Sequence, residues 1–385
     1  MILNRALLTL IGVGLAAILI CLDYSIVNTC LGAIGADLHT PMAHLSWLMS
    51  AFGVGFCAFM VPLGRWADRV GRRKCLILAI ITFAVSSLAA GYAQHLSTLL
   101  LMRIFQGISG AALLPASSAM VADAFPEHSR ARALGAYGSL LGFGLALGPV
   151  IGSLILAHSS WRWIFWLNVP VSAISLIICL LFSRESRSSH PIQIDLIGTI
   201  LLVASLAFLV LSINLAANVA WPSPLMLLLL TASIIGFILF FKHQAGHANA
   251  MLPPQLLTKP TVMIGNFIAA ATVSPGWVCL FLLPLYLFAM LQMSVLAVGQ
   301  YIFIMTAMTI IAPIIAGWIF EKINQTFAIY ISFVLAISGL LLMCFLQASG
   351  PLWLIAVSFV FFGLGWGAGN GTAIIYTTKF FTILI

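Results

Sequence analysis

Apolar residues along this chain come in runs of about 20, the length an α-helix needs to cross a ~30 Å hydrocarbon layer. Charged residues, prolines and short polar clusters interrupt the runs. The breaks predict spans at 6–28, 46–63, 75–93, 97–120, 133–157, 163–182, 194–214, 225–241, 264–288, 297–320, 326–347 and 353–376. In a bilayer a helix satisfies its own backbone hydrogen bonds, so the pattern specifies an all-α polytopic membrane protein of about 12 transmembrane helices. The first run, residues 7–22, could imitate a secretory leader. No small-residue cleavage site follows it and the apolar pattern continues past Asp23, so it reads as the first span.

Composition agrees: 63% of residues are hydrophobic and 6% charged, against roughly 25% charged in soluble domains. The net charge of +8 raises the question of a nucleic-acid partner. The positions of the basic residues answer it. Fourteen of the 16 Lys and Arg residues fall in alternate loops: Arg5; Arg65, Arg69, Arg72, Arg73 and Lys74; Arg130 and Arg132; Arg184 and Arg187; Lys242 and Lys259; Lys322; Lys379. Opposite loops carry only Arg162, and Arg103 lies inside a span. By the positive-inside rule both termini are cytoplasmic, in a plasma or inner membrane, and the partner of the charge is the lipid bilayer rather than nucleic acid. The seven cysteines form no CxxC pair and lie mostly in apolar runs, so neither a disulfide framework nor a metal site is expected.

The polar stretch 183–194 is the longest break in the first half. It divides the chain into an N-terminal six-helix bundle (1–187), a linker with two further helices (188–262) and a C-terminal bundle (263–385).

Four segments carry chemistry. In the turn after span two, residues 64–74 (GRWADRVGRRK) gather five basic residues around Asp68, with Gly64 and Gly71 allowing a tight bend. An ordinary cytoplasmic loop obeying the charge rule explains the basic residues but not their order. In span four, Arg103 precedes Gln106, Gly107 and a run of small residues. An intramembrane arginine costs at least ~2.5 kcal/mol at the bilayer centre and so faces a partner, a wet cavity or, by snorkelling, the interface. In span five, Gly144, Gly148 and Gly152 recur every fourth residue beside Pro149, with Gly135 upstream, a spacing that brings helices close. In span one, Asp23 is the acidic residue well inside the run. A carboxylate there is expensive unless paired or protonated, which suits a proton carrier, while a position nearer the interface would leave it hydrated and inert.

These segments resemble the motifs of the major facilitator superfamily. Residues 64–74 resemble its motif A, G-x-L-A-D-R-x-G-R-[RK], with Trp66 in place of Leu; residues 103–112 resemble motif B, R-x-x-Q-G-x-G-A-A, with Ser109 in the position before Gly110; residues 135–153 resemble motif C, the antiporter signature, with Ser153 in place of Gly. Span one is similar to the L-D-x-[TS]-I-V-N-x-A-L-P signature of the fourteen-span drug:proton antiporters, matched at Asp23, Ile26, Val27 and Asn28, with Cys30 and Gly32 departing. WRWIFWLNVP at 161–170 and the pair Asp195 and Gly198 fit the same family.

The resemblance implies a major facilitator fold and secondary active transport, with proton-coupled efflux of a lipophilic small molecule, no cofactor and no metal. It assigns proton coupling to Asp23, with Arg103 as charge partner. It assigns a cytoplasmic gate to Gly64, Asp68, Arg69, Gly71, Arg72 and Arg73. The antiporter motif falls on Gly135, Gly144, Gly148, Pro149 and Gly152. Tyr24, Asn28, Gln106, Trp277 and Phe281 are candidates for the substrate cavity, although aromatic residues in spans also serve as core or lipid-facing groups.

A decayed copy of motif A at 317–323 (GWIFEKI) follows span ten. That register makes spans seven and eight an inserted pair, and on the fourteen-span plan the last two helices are missing. The family's partner for the motif A carboxylate lies on one of them, so Asp68 is expected to lack its usual latch. Two alternatives follow: a non-transporting remnant of such an antiporter, and an importer of the same fold. An intramembrane enzyme is disfavoured, because all eight histidines lie in loops or at span ends and neither HExxH nor GxSxG is present.

Overall fold

The computed structural model describes residues 2–187, 195–216, 223–247, 250–252, 255, 258–347 and 350–382. Part of the expected linker, 188–194, and the Pro253–Pro254 pair of the loop after span eight lie outside them. Every regular element among the described residues is helical: α1 Ile2–Asp37, α2 Met42–Val70, α3 Arg72–Gly91, α4 Leu96–Ala124, α5 Glu127–His158, the short α6 Trp163–Trp166, α7 Asn168–Phe182, α8 Leu196–Ala216, α9 Pro224–Gly246, α10 Pro260–Ala289, α11 Val295–Lys322, α12 Gln325–Met343 and α13 Leu352–Thr382. With α6 and α7 forming one span, 12 segments are long and apolar enough to cross a membrane.

Two of the span ends that differ from expectation bear on function. The first helix continues to Asp37 rather than ending near residue 28. The polar cluster Asn28–Thr29 does not break it, because Asn28 is buried and the Thr29 hydroxyl donates to the Ser25 carbonyl at 3.1 Å. Asp23 therefore lies about 14 residues, or roughly 21 Å, from the helix end rather than close to it. The second helix carries on past the apolar run through Arg65 and Asp68 and stops at Gly71, where φ is +128°. Prolines 62, 115, 149, 275, 284 and 313 all sit inside helices, as membrane helices tolerate.

The chain forms two compact units. The first comprises residues 1–17, 31–130 and 161–257; the second comprises 18–30, 131–160 and 258–385. In the first unit α4 lies against α2 and α3. The α2 and α4 backbones touch, since a Cβ on Gly107 would run into the Phe52 carbonyl and one on Gly55 into the Ile104 carbonyl. The start of α1 packs on α7, where the Ser175 hydroxyl donates to the Gly12 carbonyl at 2.8 Å. The α8–α9 hairpin joins α2 through Ser50 Oγ and Asn214 Oδ1, 2.9 Å apart. Leu228 on α9 is 63% exposed and Ile197 on α8 61%, a surface that only an apolar solvent tolerates.

In the second unit α13 packs against α10, α11 and α12 around a core that includes Leu287, Ile302, Met305, Phe359, Phe362 and Trp366. Small residues again set the distances: Gly339 faces Phe362, Gly363 faces Met305 and Gly276 faces the Trp366 ring. The driving force in lipid is such packing, because hydrocarbon solvates leucine as well as the protein interior does.

Candidate functional site

The first unit holds a chain of buried polar side chains. Arg103 on α4 is fully buried. Its Nη1 donates to Gln106 Oε1 at 2.8 Å, its Nε to the Leu48 carbonyl at 3.3 Å, and its guanidinium carbon lies 4.6 Å from the centre of the Phe52 ring. Gln106 Nε2 donates to Ser87 Oγ on α3 at 2.7 Å, and Asn168 Nδ2 on α7 reaches the same hydroxyl at 3.4 Å. The guanidinium is thus held inside the unit by α2, α3 and α4. Gln106, a candidate cavity residue from the sequence, bonds both Arg103 and Ser87. Ser87 and Asn168 were not singled out by the sequence, where a lone serine in an apolar run carries no signal.

The motif A turn is fastened at one end of the same unit. Asp68 Oδ1 accepts from Arg72 Nε at 2.8 Å, and Arg72 Nη1 reaches Asp123 Oδ2 at 2.6 Å. Arg73 donates to the Leu180 carbonyl at 2.6 Å and the Cys179 carbonyl at 3.3 Å, and its backbone N–H to Glu185 Oε1 at 3.0 Å. Gly71 has a left-handed φ, and a Cβ there would stand 2.5 Å from Glu185 Oε1, so the turn accepts glycine alone without strain. Gly64 has only ordinary contact with Pro115, and Arg69 is exposed. At the other end Asp37 Oδ2 accepts from Arg162 Nη1 at 2.6 Å and Trp161 Nε1 at 3.1 Å. This second clasp is not legible in the chain, because Asp37 lies 124 and 125 residues from its partners Trp161 and Arg162.

The second unit contains Asp23, fully buried in α1, together with the motif C helix. Gly144 of α5 faces the Ile18 backbone, Gly148 faces Ser25 and Gly152 faces Ile26, so the four-residue repeat seats α5 directly against the middle of α1. Gly299 of α11 meets Pro149 and Ser153 on the same helix. Gly135 has nothing within 4 Å of a Cβ and takes no part in the packing. Asn28 donates to the Leu280 carbonyl on α10. Tyr24 and Trp277 meet edge to face with centroids 4.6 Å apart, and Trp277 lies 6.2 Å from Trp366. Phe281 is half-buried on the same helix as Trp277. Asp23 belongs to the second unit and Arg103 to the first.

The sequence model of the Major Facilitator Superfamily matches residues 13–382. The chain belongs to this superfamily. It is similar to the riboflavin transporter RibZ of Clostridioides difficile (strain 630), 30% identical over 366 residues, which cover 94% of this chain and 78% of that protein. It is also similar to multidrug resistance protein 3 of Bacillus subtilis (strain 168), 32% identical over 232 residues, or 60% of this chain and 45% of the relative. The multidrug transporter protein MdtP of the same organism is 26% identical over 366 residues, 94% of this chain and 67% of the relative. Such matches span from under half to about three quarters of the relatives' lengths. Among solved structures, the partially occluded inward open xylose transporter XylE from E. coli aligns with a TM-score of 0.66 at 14% identity, covering 97% of this chain and 87% of that one. A bacterial homologue of the human lysosomal transporter Spinster, inward-facing and unoccupied, aligns at 0.64 and 19% identity, covering 97% and 75%. At these identities they share the fold. The protein is a multi-pass membrane protein and a secondary transporter of small molecules, not an enzyme.

Proposed function

We propose that this major facilitator protein exports lipophilic small molecules in exchange for protons, by alternating access in which the binding site opens to one face of the membrane at a time. The observation that carries the reading is Asp23, a carboxylate with no exposed surface deep in a 36-residue helix. A charge in that position is costly enough that it marks a functional group by default, and taking up a proton removes the cost. Arg103 is the second coupling residue. Motif C, matched except at Ser153, and the names of relatives such as multidrug resistance protein 3 support efflux as the direction. The alternate loops that carry the basic residues support a cytoplasmic side for both termini. Spans seven and eight, within residues 188–262, are the inserted pair between the bundles 1–187 and 263–385.

Substrate is held by the aromatic side chains of Tyr24, Trp277 and Phe281 with Asn28, which suit a flat or cationic lipophilic compound. A second reading, transport of a flavin-like ring system, draws on the 30% identity with RibZ. The test is Asp23→Asn in cells exporting a fluorescent lipophilic cation. Export driven by the proton gradient is abolished with expression intact; undiminished pumping by the variant removes Asp23 from the coupling role.

A further inference from the structure

Away from these sites, metal-ligand side chains converge at the foot of the α8–α9 hairpin. Asp195 immediately precedes α8, and its side chain is only 2% exposed. Its Oδ1 accepts from the Gly198 backbone N–H at 2.8 Å and lies 2.8 Å from His243 Nε2; its Oδ2 accepts from Gln244 Nε2 at 2.6 Å. Gln244 Oε1 in turn accepts from the Leu252 backbone N–H at 3.1 Å, which fixes the segment after α9 over the cluster. The pocket is built to this shape. A Cβ on Gly198 would collide with Asp195 Oδ2 and stand 2.5 Å from Gln244 Nε2. His247 follows one turn after His243, and the two imidazoles stack with centroids 5.0 Å apart and planes at 24°. One ligand atom from each of Asp195, His243 and His247 falls within 4.8 Å of the others.

A helix cap accounts for part of this. Asp195 bonding the amide three residues on is an N-terminal cap, and His243 and Gln244 complete its hydrogen bonds. A cap has no use for a second imidazole four residues along, stacked on the first and facing the same carboxylate. His243 in the last turn of α9 and His247 just past its end are four residues apart, a spacing that lets two imidazoles chelate one ion. A third ligand whose oxygens are already oriented by a backbone amide and a carboxamide has the supporting bonds that metal sites require. Lys242, the nearest cation in sequence, lines a shallow apolar groove on α9 with Phe237, Ile238 and Phe241.

We propose that Asp195, His243 and His247 bind a divalent first-row transition cation of the Zn²⁺ type, which ties the start of α8 to the end of α9. Two imidazole nitrogens and one carboxylate oxygen form a donor set that favours such ions over Mg²⁺ and Ca²⁺, which prefer all-oxygen cages. Water completes the coordination, since three protein ligands leave a position open. On binding, the ion takes the place of the direct His243–Asp195 hydrogen bond, and His243 coordinates as the neutral imidazole.

The test is titration of the purified full chain in detergent, stripped with chelator, with Zn²⁺ by calorimetry and with Mg²⁺ as the control ion. One Zn²⁺ is expected per chain, unaffected by millimolar Mg²⁺. His247→Ala weakens binding about ten-fold or more, while His247→Cys retains it. His247 is exposed, so its loss does not endanger folding, and His243→Asn provides an independent second variant. Absence of stoichiometric Zn²⁺ binding overturns the proposal. So does Zn²⁺ that binds wild type and both variants equally, which would come from the exposed thiols of Cys57 and Cys344 or from histidines elsewhere.

Discussion

Replacing Gly148 with alanine probes the seam between α1 and α5. A Cβ at Gly148 would overlap the Ser25 hydroxyl and stand 2.7 Å from Ser25 Cβ and 2.9 Å from the Ile26 backbone nitrogen. The hydroxyl cannot simply swing away from the problem. It donates to the Cys21 and Leu22 carbonyls at 3.0 and 3.2 Å, and its rotation leaves Ser25 Cβ and the Ile26 nitrogen in place. The two helices must therefore separate, at the ~1–3 kcal/mol typical of overpacking a fitted contact. Helix propensity favours alanine over glycine by up to ~1 kcal/mol and offsets part of this. The expected net loss for Gly148→Ala is about 1–2 kcal/mol. Gly135→Ala, in the same motif but facing open space, should lie between neutral and about 1 kcal/mol more stable. Ser25→Gly removes the colliding atoms, so combining it with Gly148→Ala should recover more than half of the loss, a coupling of about 0.5 kcal/mol or more. Equilibrium unfolding in mixed detergent, followed by tryptophan fluorescence, measures all four chains. Equal effects at Gly148 and Gly135, or no recovery with Ser25→Gly, would refute the claim that the antiporter motif works here by close packing on α1.

Three further outcomes follow from the geometry. Gly71→Ala forces an L-residue to a φ of +128° and pushes against Glu185; the expected cost is about 1–3 kcal/mol, read as a lower melting temperature in detergent. Gln106→Leu removes the acceptor of Arg103 Nη1 and the shorter of two bonds to the Ser87 hydroxyl, and should cost about 1.5–3 kcal/mol in the same unfolding assay, whereas Gln106→Glu keeps an acceptor for Arg103 and loses less. Arg72→Ala breaks two ion pairs that are partly open to solvent, so stability should fall by no more than about 1 kcal/mol even though a motif residue has been removed.

All twelve spans were legible in the chain, because a continuous apolar run needs no knowledge of its neighbours to be recognised as a bilayer helix. The ends were less legible for a definite reason. Hydropathy marks where a helix leaves hydrocarbon, not where its hydrogen bonding stops, so the apolar pattern ends near Asn28 in α1 and before Asp68 in α2, while both helices run on. Local pairs were within reach: Asp68 and Arg72 are four residues apart on one turn, and Gly144, Gly148 and Gly152 fall on one face. Partners brought together by packing were not. Asp123 for Arg72, Asp37 for Arg162 and Ser87 for Gln106 come from other helices, and one chain carries no signal of those pairings. His243 and His247 had the i, i+4 spacing in plain view, but their relevance depends on Asp195, which only the hairpin brings to them.

Proton-driven export is the central claim, and the most direct measurement is accumulation of a fluorescent lipophilic cation in cells that express this chain, with and without a proton uncoupler. Accumulation is expected to be lower than in empty cells and to return to the empty-cell level when the uncoupler collapses the gradient. Lowered accumulation that persists unchanged in the presence of the uncoupler would contradict it.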